Sequence, residues 1–304
     1  MKIAAVVVTY NRKKDLIKNI KSVLGQSLVV DKYYIIDNHS TDNTKRYLEE
    51  KGLLSNNIIE YVYLEENIGG AGGFYVGLKK AYEAGYDYIC LMDDDGRPAN
   101  KDMMKNLVEA GKTIQKNNKL LLINSLVCGR DGKTLSFGLT GGIRTVEDAL
   151  DKATSEGLIE KTINPFNGTL VSKELIKEIG FPNKDFFIKG DEFDYQRRSI
   201  KAKAAVFTIC KSLYYHPKLE KIKSRFLFKQ FTGSTESPWK EYYRARNYTY
   251  IYDRDNENLK YIRQNIKQIL MALKYNPKKK EAIKMIIKGW KDGKKGNLGA
   301  TVKP

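Results

Sequence analysis

Three consecutive carboxylates, Asp93-Asp94-Asp95, follow the apolar run Tyr88-Ile89-Cys90-Leu91-Met92 and precede Gly96-Arg97-Pro98. Folding alone gives no reason to set three like charges side by side. A divalent cation gives one, because it offsets their mutual repulsion. In an extended segment alternate side chains share a side, so Asp93 and Asp95 point the same way. Oxygen ligands of this kind suit Mn²⁺ or Mg²⁺. The competing reading is a solvated acidic turn after a strand. A second acid run, Asp191-Glu192-Phe193-Asp194, opens a helical pattern. Helix-start acids are common for dipole reasons alone, and Asp194 with Arg198 has the spacing of a simple helix ion pair. His216 lies in Leu213-Tyr214-Tyr215-His216-Pro217. A lone histidine is usually structural, but the proline implies a loop, where the imidazole can turn toward a metal. His39, in the turn after the second strand, is assigned no role.

These groups need elements to position them. Ile3–Val8 reads as a strand covered on both faces, and a helix follows with Leu16, Ile20, Val23 and Leu24 at helical spacing. Tyr33–Asn38 and Ile58–Leu64 read as the next strands, separated by a helix that starts near Ser40-Thr41-Asp42. Strands alternating with helices predict a mostly parallel sheet with flanking helices. Ligands on such sheets sit beyond the carboxyl ends of the strands. Thr9, Asp37, Asn67 and Asp93 all fall at such ends. The glycine cluster Asn67-Ile68-Gly69-Gly70-Ala71-Gly72-Gly73-Phe74 is either a loop whose backbone approaches a ligand or a turn with a tightly packed helix behind it. It fits neither a P-loop nor the dinucleotide fingerprint. A helix is expected over Lys101–Asn117, strands over Leu120–Val127, Phe166–Val171 and Ala204–Ile209, and a helix over Ser172–Ile179. Gly129–Gly142 reads as hairpin material and Asp148–Lys161 as a mobile polar loop.

The net charge of +18 is unevenly spread. Residues 219–304 hold 21 Lys/Arg against 8 Asp/Glu, a net +13, which leaves +5 for residues 1–218. This divides the chain into an α/β domain over 1–218 and a basic helical region over 219–304. Basic regions favour nucleic acid or anionic membranes, and no RNA-binding signature or zinc finger supports the former. In the tail, Leu259, Ile262, Ile266, Ile269, Leu270 and Leu273 form one amphipathic stripe, and Ile283, Ile286, Ile287 and Trp290 a second. They read either as a helical cap with solvated lysines or as a surface for anionic lipid. Cys90, Cys128 and Cys210 match no zinc spacing and no disulfide framework, so a reducing cytoplasm is the default. The apolar start is too short for a signal peptide, and no stretch is long enough to span a bilayer.

With these motifs placed, the chain resembles family 2 glycosyltransferases of the GT-A fold. The resemblance rests on Val7-Val8-Thr9-Tyr10-Asn11-Arg12, Asp37-Asn38, Asp93-Asp94-Asp95 and Gly190-Asp191-Glu192-Phe193-Asp194, in the family's order. The glycine cluster, His216 and Tyr242-Tyr243-Arg244-Ala245-Arg246-Asn247 are similar to the branch of bacterial galactofuranosyltransferases and rhamnosyltransferases. The resemblance implies an inverting, metal-dependent transfer from a nucleotide sugar. UDP-galactofuranose is the first expectation and dTDP-rhamnose the second. The acceptor is expected to be a cell-surface polysaccharide or lipid-linked glycan, met by an enzyme peripheral on the inner face of the cell membrane. It further implies Asp93, Asp95 and His216 as ligands of Mn²⁺ or Mg²⁺, Thr9, Arg12, Asp37 and Asn67 around the uridine and ribose, and Asp94 toward the ribose or sugar. Glu192 would take the acceptor's proton and Asp191 would bind the acceptor. Gly190 departs from the tryptophan that often precedes the acid pair. A nucleotidyltransferase would also place metal-binding acids on an α/β sheet, but no basic glycine-rich loop near residue 10 is present to hold a triphosphate. A nucleic-acid-binding protein would leave the acid triplet unexplained.

Overall fold

Ile3–Thr9, an unbroken run of apolar and β-branched residues, forms β1 and is buried along its whole length. The structure is a computed structural model that describes residues 1–218, 222–226 and 229–303. After β1 come α1 (Lys13–Leu24), β2 (Lys32–Asp37), α2 (Thr44–Glu50), β3 (Ile59–Tyr63), α3 (Gly69–Glu83) and β4 (Tyr88–Asp93). The four strands pair in parallel in the order β3-β2-β1-β4. Their register sets Thr9 opposite Asp37 and Val8 opposite Asp93. The strand ends singled out by the sequence therefore lie side by side.

The chain continues through β5 (Arg97–Pro98), α4 (Met103–Gln115), β6 (Leu121–Cys128), α5 (Val146–Lys152), β7 (Leu158–Glu160), β8 (Thr169–Ser172), α6 (Lys173–Ile179), α7 (Asp191–Lys201) and β9 (Ala205–Tyr215). Among the described residues the sheet has nine strands. β6 and β9 run parallel, but β8 enters antiparallel between β4 and β6, and β5 and β7 lie antiparallel to β9. The α/β class stands, with a sheet more mixed than expected. An apolar run announces a strand and not its direction. Side chains of β1 alternate between two cores, with Ala5 and Val7 facing α1 and α4 residues and Val6 and Val8 facing α3 residues.

Three local expectations are corrected. Residues 129–142 fold back antiparallel, with single bridges joining Cys128 to Leu135 and Thr134 to Thr145, but they form no hairpin of full strands. The Asp131 carboxylate accepts from the backbone N–H of Lys133 and Thr134 and curls the segment into a tight turn. Residues 148–161 are not a structureless loop. They hold most of α5 and all of β7, and α5 begins with a reciprocal cap between Thr145 and Asp148, which satisfies two backbone donors at once. Past residue 218 the chain is not wholly helical. An antiparallel hairpin, β10 (Ile222–Phe226) with β11 (Lys229–Gly233), precedes α8 (Pro238–Arg254), α9 (Asn258–Tyr275) and α10 (Lys279–Lys295). Its alternation of apolar and basic residues is a strand pattern.

The chain divides into two compact units, Met1–Pro182 with Tyr195–Lys218, and Asn183–Asp194 with Leu219–Pro304. Residues 219–221, where the expected boundary falls, lie outside the described residues. In the second unit α10 lies close on α8 because Gly289 and Gly293, one turn apart, carry no side chain. A Cβ at either would stand 2.3 Å from the carbonyl oxygen of Tyr242 or Arg246. The wholly buried Arg246 organises the rest of this unit. Its guanidinium donates to the carbonyls of Asp185, Phe186 and Gly299. Asn247 donates to those of Phe186, Ile188 and Lys189. Residues 185–189, which lead into Gly190-Asp191-Glu192, are therefore held by α8 through their backbone oxygens.

Arg246→Met removes three of these donations at once. A buried carbonyl left unpaired costs ~1–3 kcal/mol, and relief of the buried charge offsets part of that. The expected net loss is ~2 kcal/mol, read as an earlier urea transition of Trp239 and Trp290 fluorescence, both tryptophans lying in the second unit. An unchanged midpoint would show that the loop does not rely on the guanidinium.

Candidate active site

The acid triplet forms the end of β4 and the turn beyond it, and two side chains, Asn19 and Tyr214, fix its backbone. Asn19, fully buried on the inner face of α1, donates its side-chain amide to the carbonyls of Asp93 (3.3 Å) and Gly96 (2.7 Å). Its own carbonyl accepts from the Tyr33 hydroxyl. The Tyr214 hydroxyl lies 3.4 Å from the Asp93 carbonyl. The Tyr214 ring is wedged between Gly96 and Gly168, where added Cβ atoms would stand 2.4 and 2.8 Å from ring carbons. Both glycines are therefore fixed by close approach.

The antiparallel pairing of β5 with β9 then delivers the histidine. Arg97 pairs with Tyr215 and Pro98 with Tyr214, so the residue after β9 comes back beside the triplet. His216 Nε2 lies 3.2 Å from Asp95 Oδ1, and Nδ1 lies 2.7 Å from the Pro217 carbonyl. Asp93, Asp95 and His216 each present one ligand atom, all within 4.8 Å of one another. Two carboxylate oxygens and an imidazole nitrogen fit Mn²⁺ or a related divalent ion. These three are the residues that would hold it.

The middle acid has different surroundings. Asp94 is buried, accepts from Thr9 Oγ1 at 2.8 Å and lies 3.3 Å from Arg12. Arg12 also reaches Asp95 at 2.5 Å. Burial pushes the Asp94 carboxyl up to about 6, against the opposing pull of Arg12. Burial acts the same way on Asp95, but His216 and Arg12 outweigh it and hold that carboxyl below its usual range. His216 moves upward in turn, because Asp95 and Asp93 outweigh its burial.

The other residues singled out in the sequence form a second cluster in the same unit. Asp37 is buried and accepts from the Ser40 N–H at 2.7 Å and from the Tyr61 hydroxyl. Asn67 accepts from Asn38 Nδ2 at 3.0 Å and from the Gly69 N–H at 2.9 Å. The glycine cluster is the first turn of α3 rather than a loop. Gly72, Gly73 and Gly77 let the helix sit against Ile68, Val8 and Val6, where a Cβ would come within 2.3–2.7 Å, whereas Gly70 faces open space. Asp191 and Glu192 belong to the second unit and open α7. They follow Gly190, whose φ of +90° favours glycine. Asp191 is buried and Glu192 half-buried. Asn19 escaped the sequence reading, and Gly96, Tyr214, Arg246 and Asn247 entered it only as members of motifs, with no role of their own. Asn19 had a signal, a polar residue on the same helical stripe as Leu16, Ile20 and Val23.

The profile of "Glycosyl transferase family 2" matches residues 4–123. Galactofuranosyltransferase GlfT1 of Mycolicibacterium smegmatis is 30% identical over 221 residues, 71% of this chain and 70% of that protein. The chain belongs to glycosyl transferase family 2. Solved GT-A structures share its fold. The crystal structure of GalNAc-T7 with UDP, GalNAc and Mn²⁺ superposes with a TM-score of 0.62 at 14% identity, over 97% of this chain and 56% of that one. Staphylococcus aureus TarS gives 0.55 at 15% identity, and there the chain spans 43% of the solved protein.

For this family 2 chain, the packing around Tyr214 makes a specific forecast. Gly96→Ala forces a methyl into a buried ring, an overpacking that costs ~1–3 kcal/mol. It should lower the thermal midpoint clearly. Gly70→Ala, with nothing within 4 Å, should leave the midpoint unchanged or slightly raised. Equal midpoints for the two variants would remove Tyr214 as the clamp on the acid turn.

Proposed function

We propose that the protein is an inverting, metal-dependent galactofuranosyltransferase that moves galactofuranose from UDP-galactofuranose to a hydroxyl of a glycan. The observation that carries the reading is the convergence of Asp93, Asp95 and His216 in a chain 30% identical to a galactofuranosyltransferase. A bound divalent ion would neutralise the leaving diphosphate as the glycosidic bond breaks. Thr9 and Arg12 hold Asp94 in place beneath the site, and Arg12, half-exposed, can release Asp95 to reach a phosphate. Asp37 and Asn67, with Asn38, are assigned to the uridine and ribose. Glu192 takes the proton from the acceptor hydroxyl. The acceptor oxygen bonds to the anomeric carbon, and the bond from that carbon to the diphosphate oxygen breaks, with UDP leaving as the anion. Asp191 is assigned to the acceptor.

The experiment is a thermal-shift panel of nucleotide sugars with Mn²⁺, followed by turnover of the best donor. UDP-galactofuranose should raise the midpoint most. Asp93→Ala and Asp95→Ala should lose that shift, whereas Glu192→Gln should keep it and lose ~10²–10⁴ in kcat. A larger shift with dTDP-rhamnose would replace the donor. Full activity in both aspartate variants would remove the metal from the reading. A mild Glu192→Gln beside a severe Asp191→Asn would reassign the base.

The reading includes peripheral attachment to an anionic membrane. No helix among the described residues is long and apolar enough to cross a bilayer. Of the two apolar stripes, that of α10 is largely taken up, with Ile286 buried and Ile283 half-buried in a cluster that includes Ala245 of α8. On α9 the residues Leu259 (68% exposed), Ile266 (48%) and Leu273 (49%) face outward at seven-residue spacing, with Arg263 and Lys274 alongside. This row fits an interfacial helix better than the α10 lysines do. Leu259→Ser with Ile266→Ser should cut sedimentation with anionic liposomes at physiological salt. Equal pelleting with neutral and anionic vesicles would exclude the electrostatic part of the attachment.

A further inference from the structure

Asp93 and Asp95 are placed by β4 and its clamped turn, but His216 is not. It follows the last residue of β9, whose ladders with β6 and β5 both finish at Tyr215. Further back the β6 ladder is irregular. Ser125 pairs with Ile209 and the next residue, Leu126, with Leu213, so Cys210, Lys211 and Ser212 fall outside that pairing. A bulge of this kind re-aims the side chains that follow it. Past the end of β9 the His216 N–H still reaches the Cys128 carbonyl, at 3.1 Å. One backbone hydrogen bond leaves the imidazole free to choose among its rotamers, so its direction needs another cause.

That cause lies in the segment that folds back from β6. Ser136 is buried, and its N–H donates to the Val127 carbonyl at 3.1 Å. Its hydroxyl donates to the His216 carbonyl. The next residue, Phe137, lays its ring against the imidazole, with centroids 4.7 Å apart. His216 Nδ1 donates to the Pro217 carbonyl, which leaves Nε2 as the nitrogen facing Asp95 at 3.2 Å.

The segment does not depend on Phe137 for its own anchoring. Leu135 and Leu139, on either side of it, are buried in a small apolar cluster with Leu126, Ile143 and Ile159. Arg144 donates to the carbonyls of Leu139 (3.1 Å) and Ile143 (2.9 Å) and closes the turn beyond. Phe137 stays outside that cluster, half-buried at the edge of the main core and against His216. Burial alone would favour placing the largest apolar side chain of the segment inside. Its ring is used on the histidine instead.

We infer that Ser136 and Phe137 are positioning residues for the third metal ligand. Ser136 holds the His216 backbone, and Phe137 keeps the imidazole turned with Nε2 toward the acid turn, so the ligand set is assembled before the ion binds. The inference rests on the assignment of Asp93, Asp95 and His216 to a divalent ion. Removing a partner that orients a ligating histidine typically costs ~10–100-fold in metal affinity.

The test is a Mn²⁺ titration of the full chain followed by electron paramagnetic resonance. The signal of free Mn²⁺ gives the affinity, and spin-echo modulation by nitrogen reports whether an imidazole is bound to the ion. His39 is the other histidine of the chain, so a His216→Ala control assigns the modulation. Phe137→Ala should bind Mn²⁺ ~10-fold more weakly and lose most of the nitrogen modulation. Phe137→Leu, which restores a bulky apolar side chain, should recover both in large part. Ser136→Ala, which keeps the apolar packing, should give a smaller loss in the same direction. Unchanged Mn²⁺ affinity and modulation in Phe137→Ala and Ser136→Ala, beside a lowered thermal midpoint, would make the two residues packing only and overturn the inference. An unaltered chain that shows no nitrogen modulation, or binds Mn²⁺ no better than His216→Ala, would remove the metal assignment itself and the inference with it.

Discussion

Three adjacent carboxylates at the end of a buried strand are the constraint on which the first unit depends. Two unit charges 4 Å apart repel by ~4 kcal/mol at the effective dielectric of a protein surface. The chain counters this in two ways. Arg12 lies across Asp94 and Asp95, and His216 lies against Asp95, so positive or proton-bearing groups surround the acids. The backbone of the turn is held separately, through carbonyl oxygens, by Asn19 and Tyr214. Clamping the backbone through its carbonyls fixes the turn without enlisting the carboxylates for that purpose, and Asp95 pairs instead with Arg12 and His216.

The second unit solves a related problem with a buried cation. Arg246 gives its donors to backbone carbonyls rather than to a carboxylate, which allows a full charge to sit at zero exposure. Its three carbonyl partners lie in residues 185–186 and at Gly299. Burial lowers the guanidinium's proton affinity somewhat, against the pull of the neighbouring tyrosines. Phe187 and Lys189, at positive φ, are strained, whereas Gly190 takes the same sign of φ without strain. Backbone strain of this kind persists only where surrounding contacts over-determine it. Arg246 and Asn247 supply those contacts, and the acid pair Asp191-Glu192 is what they position.

Much of this was legible in the sequence, and the division follows physical lines. Apolar runs bounded by polar turns marked β1, β2, β3, β4, β6, β8 and β9, because burial on both faces leaves a continuous signature. The strand-end residues Thr9, Asp37 and Asp93 were legible for the same reason, whereas Asn67 lies beyond β3, just ahead of α3. Strand direction was not, since β8, buried throughout like β6, pairs antiparallel to β4 and β6 without any mark of direction in its residues. The alternation in β10 and β11 was available but was read as part of a helical region, and α5 was hidden by its polar composition, although the Thr145-x-x-Asp148 cap was available. Residues acting through backbone carbonyls were the hardest to foresee. Asn19, Tyr214 and Arg246 matter for what they reach, and the partners lie 53–121 positions away in the chain.

α9 departs furthest from the pattern its sequence announces. An amphipathic helix ordinarily buries its apolar stripe. Here Leu259, Ile266 and Leu273 face solvent, while Asn265 and Gln268 are buried. Their amide nitrogens are satisfied by Thr249 and Glu241, and each keeps a carbonyl oxygen without a partner. Rotating the helix by about half a turn would bury Leu259, Ile266 and Leu273 and hydrate both amides, but it would expose Tyr261, Met271 and Ala272, so the observed face keeps one apolar set in place of another. The buried Glu241 explains part of the choice, because its carboxylate needs the donor that Gln268 provides. It does not explain the outward leucines or the open amide oxygens. The outward row is accounted for if that side of α9 meets an apolar surface, since natural sequences break a local rule mainly where function compensates.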